Sequence, residues 1–378
     1  MSMRVSLVAM VVIMGLLGSA CSSPAAPPTP TQASAKSVAP TTTPAAPAQP
    51  TAAAKPAAQP ATVPAAAAQP TAAPVKKTMS ISYSSKNATY TDVYVGQTKG
   101  FFADEALTVE EALSGGSAKG MQQLLANATN AVGTSADMVM TAVDAGGDAV
   151  IVGATTAKQI YYLNVGKKVS TWDDLRGKVI GVASLTGTEP SQIKTMLSKH
   201  GLTFGKDYDL RVVGSTPEKI AGLQNGALDA AIVYPPQCFQ IVDEGFKILG
   251  STEELDRWPS AVWAVTKSWA QQNEDTLVRY LRGISRSHQW LADPANRAQA
   301  VDIIATNTKI DKKFVELQYE EFWGKGQQYS KDGSPNMDGV AYVLEVTIAD
   351  GAIKTTGKKA QDYADLSYLQ KAIAGIKR

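Results

Sequence analysis

Four short polar runs are the parts of this chain whose residue types and spacing suggest chemistry. They are Ser84, Ser85, Asn87 and Tyr90; Ser114-Gly115-Gly116-Ser117; Thr134 and Ser135; and Thr186-Gly187-Thr188. Tyr234 and Trp263 add a ring each. Hydroxyls, amides and glycines of this kind hold no paired nucleophile and base. They suit non-covalent capture: two glycines let backbone approach a ligand, and Ser117 is placed to open a helix. Thr186-Gly187-Thr188 precedes a second helix that begins near Pro190. Helix starts expose backbone N–H groups that favour an acceptor or an anion. Taken singly, each run also reads as an ordinary turn or helix cap. The rest of the inventory excludes most enzymes. His200 and His288 stand alone, and no HExxH, GxSxG, P-loop or GxGxxG occurs. Ser191-Gln192-Ile193-Lys194 matches SxxK without the partner motifs of that chemistry. No Cys/His cluster offers a metal site. The reading is a protein that is not an enzyme and carries no cofactor.

Those runs become a site only if the elements between them bring them together. Strand patterns at Met79–Ser85, Leu107–Leu113, Asn130–Gly133 and Ala149–Gly153 alternate with helical ones at Tyr90–Gly100, Ala118–Asn127 and Ala136–Asp144. The rhythm restarts after Gly177. Strands are expected at Lys178–Ala183, Leu210–Val213, Asp229–Val233 and Phe246–Leu249, with helices at Pro190–His200, Pro217–Asn225 and Pro236–Asp243. Ala261–Thr266 reads as a strand returning to the first unit, and the remainder is largely helical, with one helix over Ser268–Ala292. Alternation of this kind implies parallel-rich sheets covered by helices. The expected fold is α/β with two lobes. Lobe 1 comprises 79–168 and 262–378, and lobe 2 comprises 169–261. In such sheets ligands bind beyond the carboxyl ends of the strands, where all four polar runs fall.

The first fifth of the 378-residue chain is different in kind. Thirteen of its 20 prolines lie between Pro24 and Pro74, and the first acidic residue is Asp92. Residues 1–21 carry Arg4, an apolar run from Val5 to Leu17, and the small residues Gly18-Ser19-Ala20 before Cys21. That is the layout of an export signal, too short to span a bilayer. A small-residue run ending in Cys resembles a bacterial lipobox, so Cys21 is expected to be lipidated. Residues 22–78, rich in Ala, Pro and Thr, form a disordered tether. The only other cysteine, Cys238, then has no disulfide partner. Beyond residue 78 there are 31 Lys+Arg against 34 Asp+Glu, a net of about −3. No basic stripe for nucleic acid is present.

Several stretches resemble the nitrate/taurine/thiamine-pyrimidine binding family of ABC-importer substrate-binding proteins. They are Gly100-Phe101-Phe102 with Leu107-Thr108-Val109-Glu110, Gly115-Gly116-Ser117, Asp173-Asp174-Leu175-Arg176-Gly177-Lys178-Val179-Ile180-Gly181-Val182, Leu223-Gln224-Asn225-Gly226-Ala227-Leu228-Asp229-Ala230 and Trp290-Leu291-Ala292-Asp293-Pro294. They stand in the family's order. The resemblance implies a type II periplasmic binding protein fold, a hinge, and a ligand held between lobes. It also implies a monomer, exported and lipid-anchored to the outer face of the cell membrane, that delivers a small nutrient to an ABC permease.

The ligand is harder to read. Tyr83, Tyr90, Tyr161, Tyr162, Tyr234 and Trp263 fall near strand ends, and Lys86 is the only cation near the expected loops. Relatives that bind thiamine pyrimidine resemble Asn-x-x-His-x-Gly, where this chain has Asn87-Ala88-Thr89-Tyr90-Thr91-Asp92. A vitamin-type heterocycle, such as riboflavin or a thiamine-precursor-like pyrimidine, is therefore expected ahead of a sulfonate, taurine or nitrate-type anion. Tyr90→Ala should then weaken binding and leave stability nearly intact. A pyrimidine-synthesising enzyme of the same fold would need a Cys-rich iron motif, and Cys238 alone cannot supply one.

Overall fold

The computed structural model describes residues 75–324, 328–354 and 357–376. The expected signal, Cys21 and nearly all of the tether lie outside the described residues. Two five-stranded mixed sheets organise the rest. The first runs β2-β1-β3-β10-β4, with β1 at Lys77–Tyr83, β2 at Leu107–Leu113, β3 at Ala131–Ser135, β4 at Ala149–Thr156 and β10 at Ala261–Thr266. Strands β1, β2 and β3 are parallel, and β10 lies antiparallel between β3 and β4. The second runs β7-β6-β8-β5-β9, with β5 at Tyr162–Val165, β6 at Lys178–Val182, β7 at Tyr208–Val212, β8 at Ala230–Val233 and β9 at Lys247–Ser251. There β5 is the antiparallel member, between β8 and β9.

Both faces of the first sheet are covered. Along β10, Trp263 and Val265 enter a core with Tyr94, Leu281 and Ile284, whereas Val262 and Ala264 enter a separate one with Met140, Val340 and Val343. β4 alternates in the same way, Val150 and Val152 against Ala149 and Ile151. A strand whose successive side chains are all apolar is buried on both sides, and every residue of β4 and β10 is buried.

The expected α/β architecture with two lobes is the one observed. The passage between sheets differs from the expected 168/169 boundary. β5, which sequence reading did not assign as a strand, already belongs to the second sheet, so the chain crosses at 157–161 and returns at 252–260. β5 has four residues and no following helix, so it lacks the βα rhythm that marked the other strands. The two crossings are bonded to each other: Gln159 N donates to Pro259 O at 2.8 Å, and the Ser260 hydroxyl donates to Thr156 O at 2.7 Å. The expected long helix at Ser268–Ala292 is two, Lys267–Gln272 and Glu274–Leu291. They part at Asn273, and Glu274 and Asp275 follow in the new first turn, where acids complement the helix dipole.

Candidate functional site

A cavity of about 370 Å³ lies where the carboxyl ends of both sheets meet. Lobe 1 supplies Ser84, Asn87 and Tyr90 after β1, Gly115, Gly116 and Ser117 after β2, and Thr134 and Ser135 at the end of β3. Lobe 2 supplies Thr186 and Thr188 after β6, and Tyr234 after β8. The structure thus brings together most of the residues singled out from sequence. It places three elsewhere. Ser114 is buried beneath its own turn, where its hydroxyl donates to Gly116 O at 3.0 Å. Gly187, the N-cap of the helix Thr188–Lys199 with φ +92°, is packed against Asp137 and does not itself line the cavity. Trp263 is 0% exposed, and its indole N–H donates to Asp92 Oδ2 at 3.0 Å. Asp92, which stands at the place of Gly in the pattern of the thiamine-pyrimidine relatives, serves this core.

Four helices begin at the cavity: Ser117–Leu125, Ala136–Asp144, Thr188–Lys199 and Thr216–Gln224. Residues of each first turn or cap line it, including Gly116, Ser135, Thr188 and Ser215. The last helix is started by a capping box between Ser215 and Glu218. Converging helix N-termini present amide donors and partial positive charge to whatever enters.

The ionisable residues of the cavity were not anticipated. Lys219 is 1% exposed, and its Nζ lies 2.9 Å from Glu189 Oε1. The same oxygen accepts from Ala183 N at 2.8 Å, and Glu189 Oε2 accepts from the Tyr234 hydroxyl at 3.0 Å. Burial pushes the Tyr234 and Tyr161 phenols well above their ordinary range, with the nearby Glu189 charge adding to it, so both stand as neutral donors. Asp137, in the first turn of Ala136–Asp144, is 4% exposed. Desolvation raises its carboxyl above the usual range, against the lowering effect of Ser135 and Thr188 hydroxyls. Lys86, expected as the cation of the site, is instead paired with Glu111 at 2.7 Å and sits over the Tyr94 ring. In sequence, Asp137 and Lys219 are indistinguishable from charges on a solvated helix, so only burial reveals them.

The aromatic wall differs from expectation too. Tyr90, Tyr161 and Tyr234 line the cavity, whereas Tyr83, Tyr162 and Trp263 pack within the lobes. Tyr90 is 4% exposed, with its ring stacked on Tyr83 at 4.5 Å and its hydroxyl donating to Gly133 O at 3.2 Å. Tyr161 and Tyr234 meet edge to face at 5.8 Å.

The lobes touch around the cavity rim. Ala88 N donates to Pro235 O at 3.0 Å, Gln237 Nε2 to Lys86 O at 2.9 Å, and the Ser191 hydroxyl to Asp350 Oδ2 at 2.9 Å. This is a closed arrangement in which the cavity is gripped from both sides.

A two-sheet body with a cavity at its switch points is matched over residues 72–305 by the model of the NMT1-like family. The chain belongs to the NMT1-like family. The family expected from the ordered sequence pieces is thereby supported. A curated Bacillus subtilis binding protein, YtlA, is 25% identical over 268 residues, 69% of this chain and 79% of the relative. Two solved structures share the fold. The periplasmic nitrate-binding protein NrtA of Synechocystis has a TM-score of 0.65 at 15% identity, over 80% of this chain and 89% of that one. The alkanesulfonate-binding protein SsuA of Xanthomonas axonopodis, bound to MOPS, has a TM-score of 0.61 at 14% identity, over 75% and 96%. These relatives are named as binding proteins, not enzymes. No described helix is long and apolar enough to cross a membrane.

Proposed function

We propose that this protein is the extracytoplasmic solute-binding component of an ABC importer and that its ligand is a small organic oxyanion of the sulfonate type. The observation that carries the reading is the convergence of four helix N-termini on one cavity between the lobes, which present amide donors that suit an anion. The nitrate and alkanesulfonate ligands named for its structural relatives agree in charge. A volume of about 370 Å³ falls in the range of small-molecule sites and far exceeds a nitrate ion. That favours an organic molecule. A vitamin-type heterocycle is the weaker reading, because the lining offers no open pair of parallel rings: Tyr90 is stacked away on Tyr83, and Tyr161 and Tyr234 are edge to face.

Capture proceeds by closure. Ligand bridges the two lobes, and the closed form gains population in proportion to its differential affinity. The closed protein then docks on a permease. Cys21 carries the lipid that holds the body, as a monomer, at the outer face of the membrane, and the segment between Cys21 and β1 gives it reach. Cys21→Ser should release the protein into the medium.

The ligand reading is tested by calorimetric and thermal titration of the purified body with alkanesulfonates of increasing length and with nitrate. A saturable rise in Tm with a sulfonate, larger than with nitrate, is expected. Absence of any shift with every sulfonate sinks the anion reading.

A further inference from the structure

Asp350 is the C-cap residue of the lobe 1 helix Met337–Ala349. A carboxylate there stands at the negative end of its own helix, where a cation is the favoured charge. Its partners lie in the other lobe. Asp350 Oδ2 accepts from the Gly187 backbone N–H at 3.3 Å and from the Ser191 hydroxyl at 2.9 Å. Gly187 is the N-cap of Thr188–Lys199, one of the four helices that begin at the cavity. Its N–H is among the donors that a helix start leaves without an intrahelical partner. Lobe 1 supplies that partner, and the acid that is misplaced on its own helix meets the positive end of a lobe 2 helix. A second tie joins the same two helices. Arg257, in the returning crossing, forks onto Glu345 of Met337–Ala349, with Nη2 to Oε1 at 3.0 Å, and its carbonyl accepts from Gln192 Nε2 of Thr188–Lys199.

We propose that Asp350 is an interlobe latch: it caps the Thr188–Lys199 helix from the opposite lobe in the closed form and so sets the open–closed equilibrium. Opening returns the carboxylate to water and leaves lobe 1 no weaker, because the acid gains nothing from its own helix. Asp350 does not line the cavity, so the latch favours no ligand over another. It scales affinity for every ligand by one factor, through the population of the form that binds. The inference rests on the reading that capture proceeds by closure and is independent of which solute is captured.

The test measures interlobe distances by pulsed electron spin resonance on the full chain carrying Cys21→Ser, with spin labels at exposed positions of lobe 1 and lobe 2 (Gln122→Cys and Lys206→Cys). Cys238 is buried and stays unlabelled. Two populations are expected, and Asp350→Ala should lower the closed-to-open ratio by about threefold or more. Its Tm should stay within about 2 °C of the parent, which a merely structural residue would not allow. Ser191→Ala should lower the ratio less, and the double variant should match Asp350→Ala alone, because both remove the same bond. A ratio unmoved by Asp350→Ala, a ratio that moves only with a larger loss of Tm, or an additive double variant overturns the latch and leaves capture by closure standing. A single distance, the same in every variant, removes the latch and closure together.

Discussion

Gly187 of the second lobe rests directly on the Asp137 carboxyl of the first: a Cβ at 187 would come within 2.2 Å of Asp137 Oδ2. The backbone there has φ +92°, which a side chain disfavours in any case. Closure of the lobes therefore depends on a missing side chain at one position and a buried acid at another.

Gly187→Ala should hold the lobes apart. Ligand affinity is expected to fall by more than tenfold, measured by calorimetry. Stability should fall by about 1–3 kcal/mol, the cost of a side chain in a backbone conformation that is essentially reserved for glycine. Unchanged affinity would show that closure does not bring 187 onto 137.

Asp137→Asn should stabilise the unliganded protein at neutral pH. The carboxyl is raised by burial, with the Glu189 charge adding to the shift and the Ser135 and Thr188 hydroxyls opposing it. An unfolded Asp ionises near about 3.9. Between that value and the higher folded one, the native state binds more protons than the unfolded state, so stability falls as pH rises. Thermal melts from pH 4 to 8 should fall more steeply for the native protein than for the variant. Parallel curves would mean that Asp137 is ionised without penalty.

Lys219→Met removes the cation from a pair that is almost wholly buried and leaves Glu189 without charge compensation. Breaking such a pair costs about 3–5 kcal/mol. Urea unfolding should show that loss, and Lys219→Met with Glu189→Gln should recover part of it. A single variant as stable as the parent would place the pair in contact with water.

Tyr90→Ala should cost stability, contrary to the expectation from sequence. The ring stacks on Tyr83 and fills the space left by Gly133, where a Cβ would lie 2.5 Å from Tyr90 Cε1. Removing a buried aromatic costs about 3–5 kcal/mol. Tyr90→Phe should lose only the hydroxyl's bonds, to Gly133 O and Ser84 Oγ. A neutral Tyr90→Ala would show that the ring packs loosely and faces the ligand.

The sequence by itself determined the α/β alternation, because strand and helix periods are local and each lobe repeats them. It also placed the polar loops, because strand ends and Gly-Gly or Thr-Gly-Thr turns are written in consecutive residues. It did not reveal β5, whose four residues take their meaning from pairing with β8 and β9. Nor did it separate Tyr90, Tyr161 and Tyr234 on the cavity from Tyr83, Tyr162 and Trp263 in the cores, since alternation assigns a face and not what lies across it. The ionic character of the site was decided by tertiary structure alone. Asp137, Glu189 and Lys219 occupy ordinary first-turn helix positions, and a charge there is unremarkable until a second lobe closes over it. Desolvation is a property of the surroundings, and for this cavity those surroundings come from segments spread between Ser84 and Ala261 in the chain.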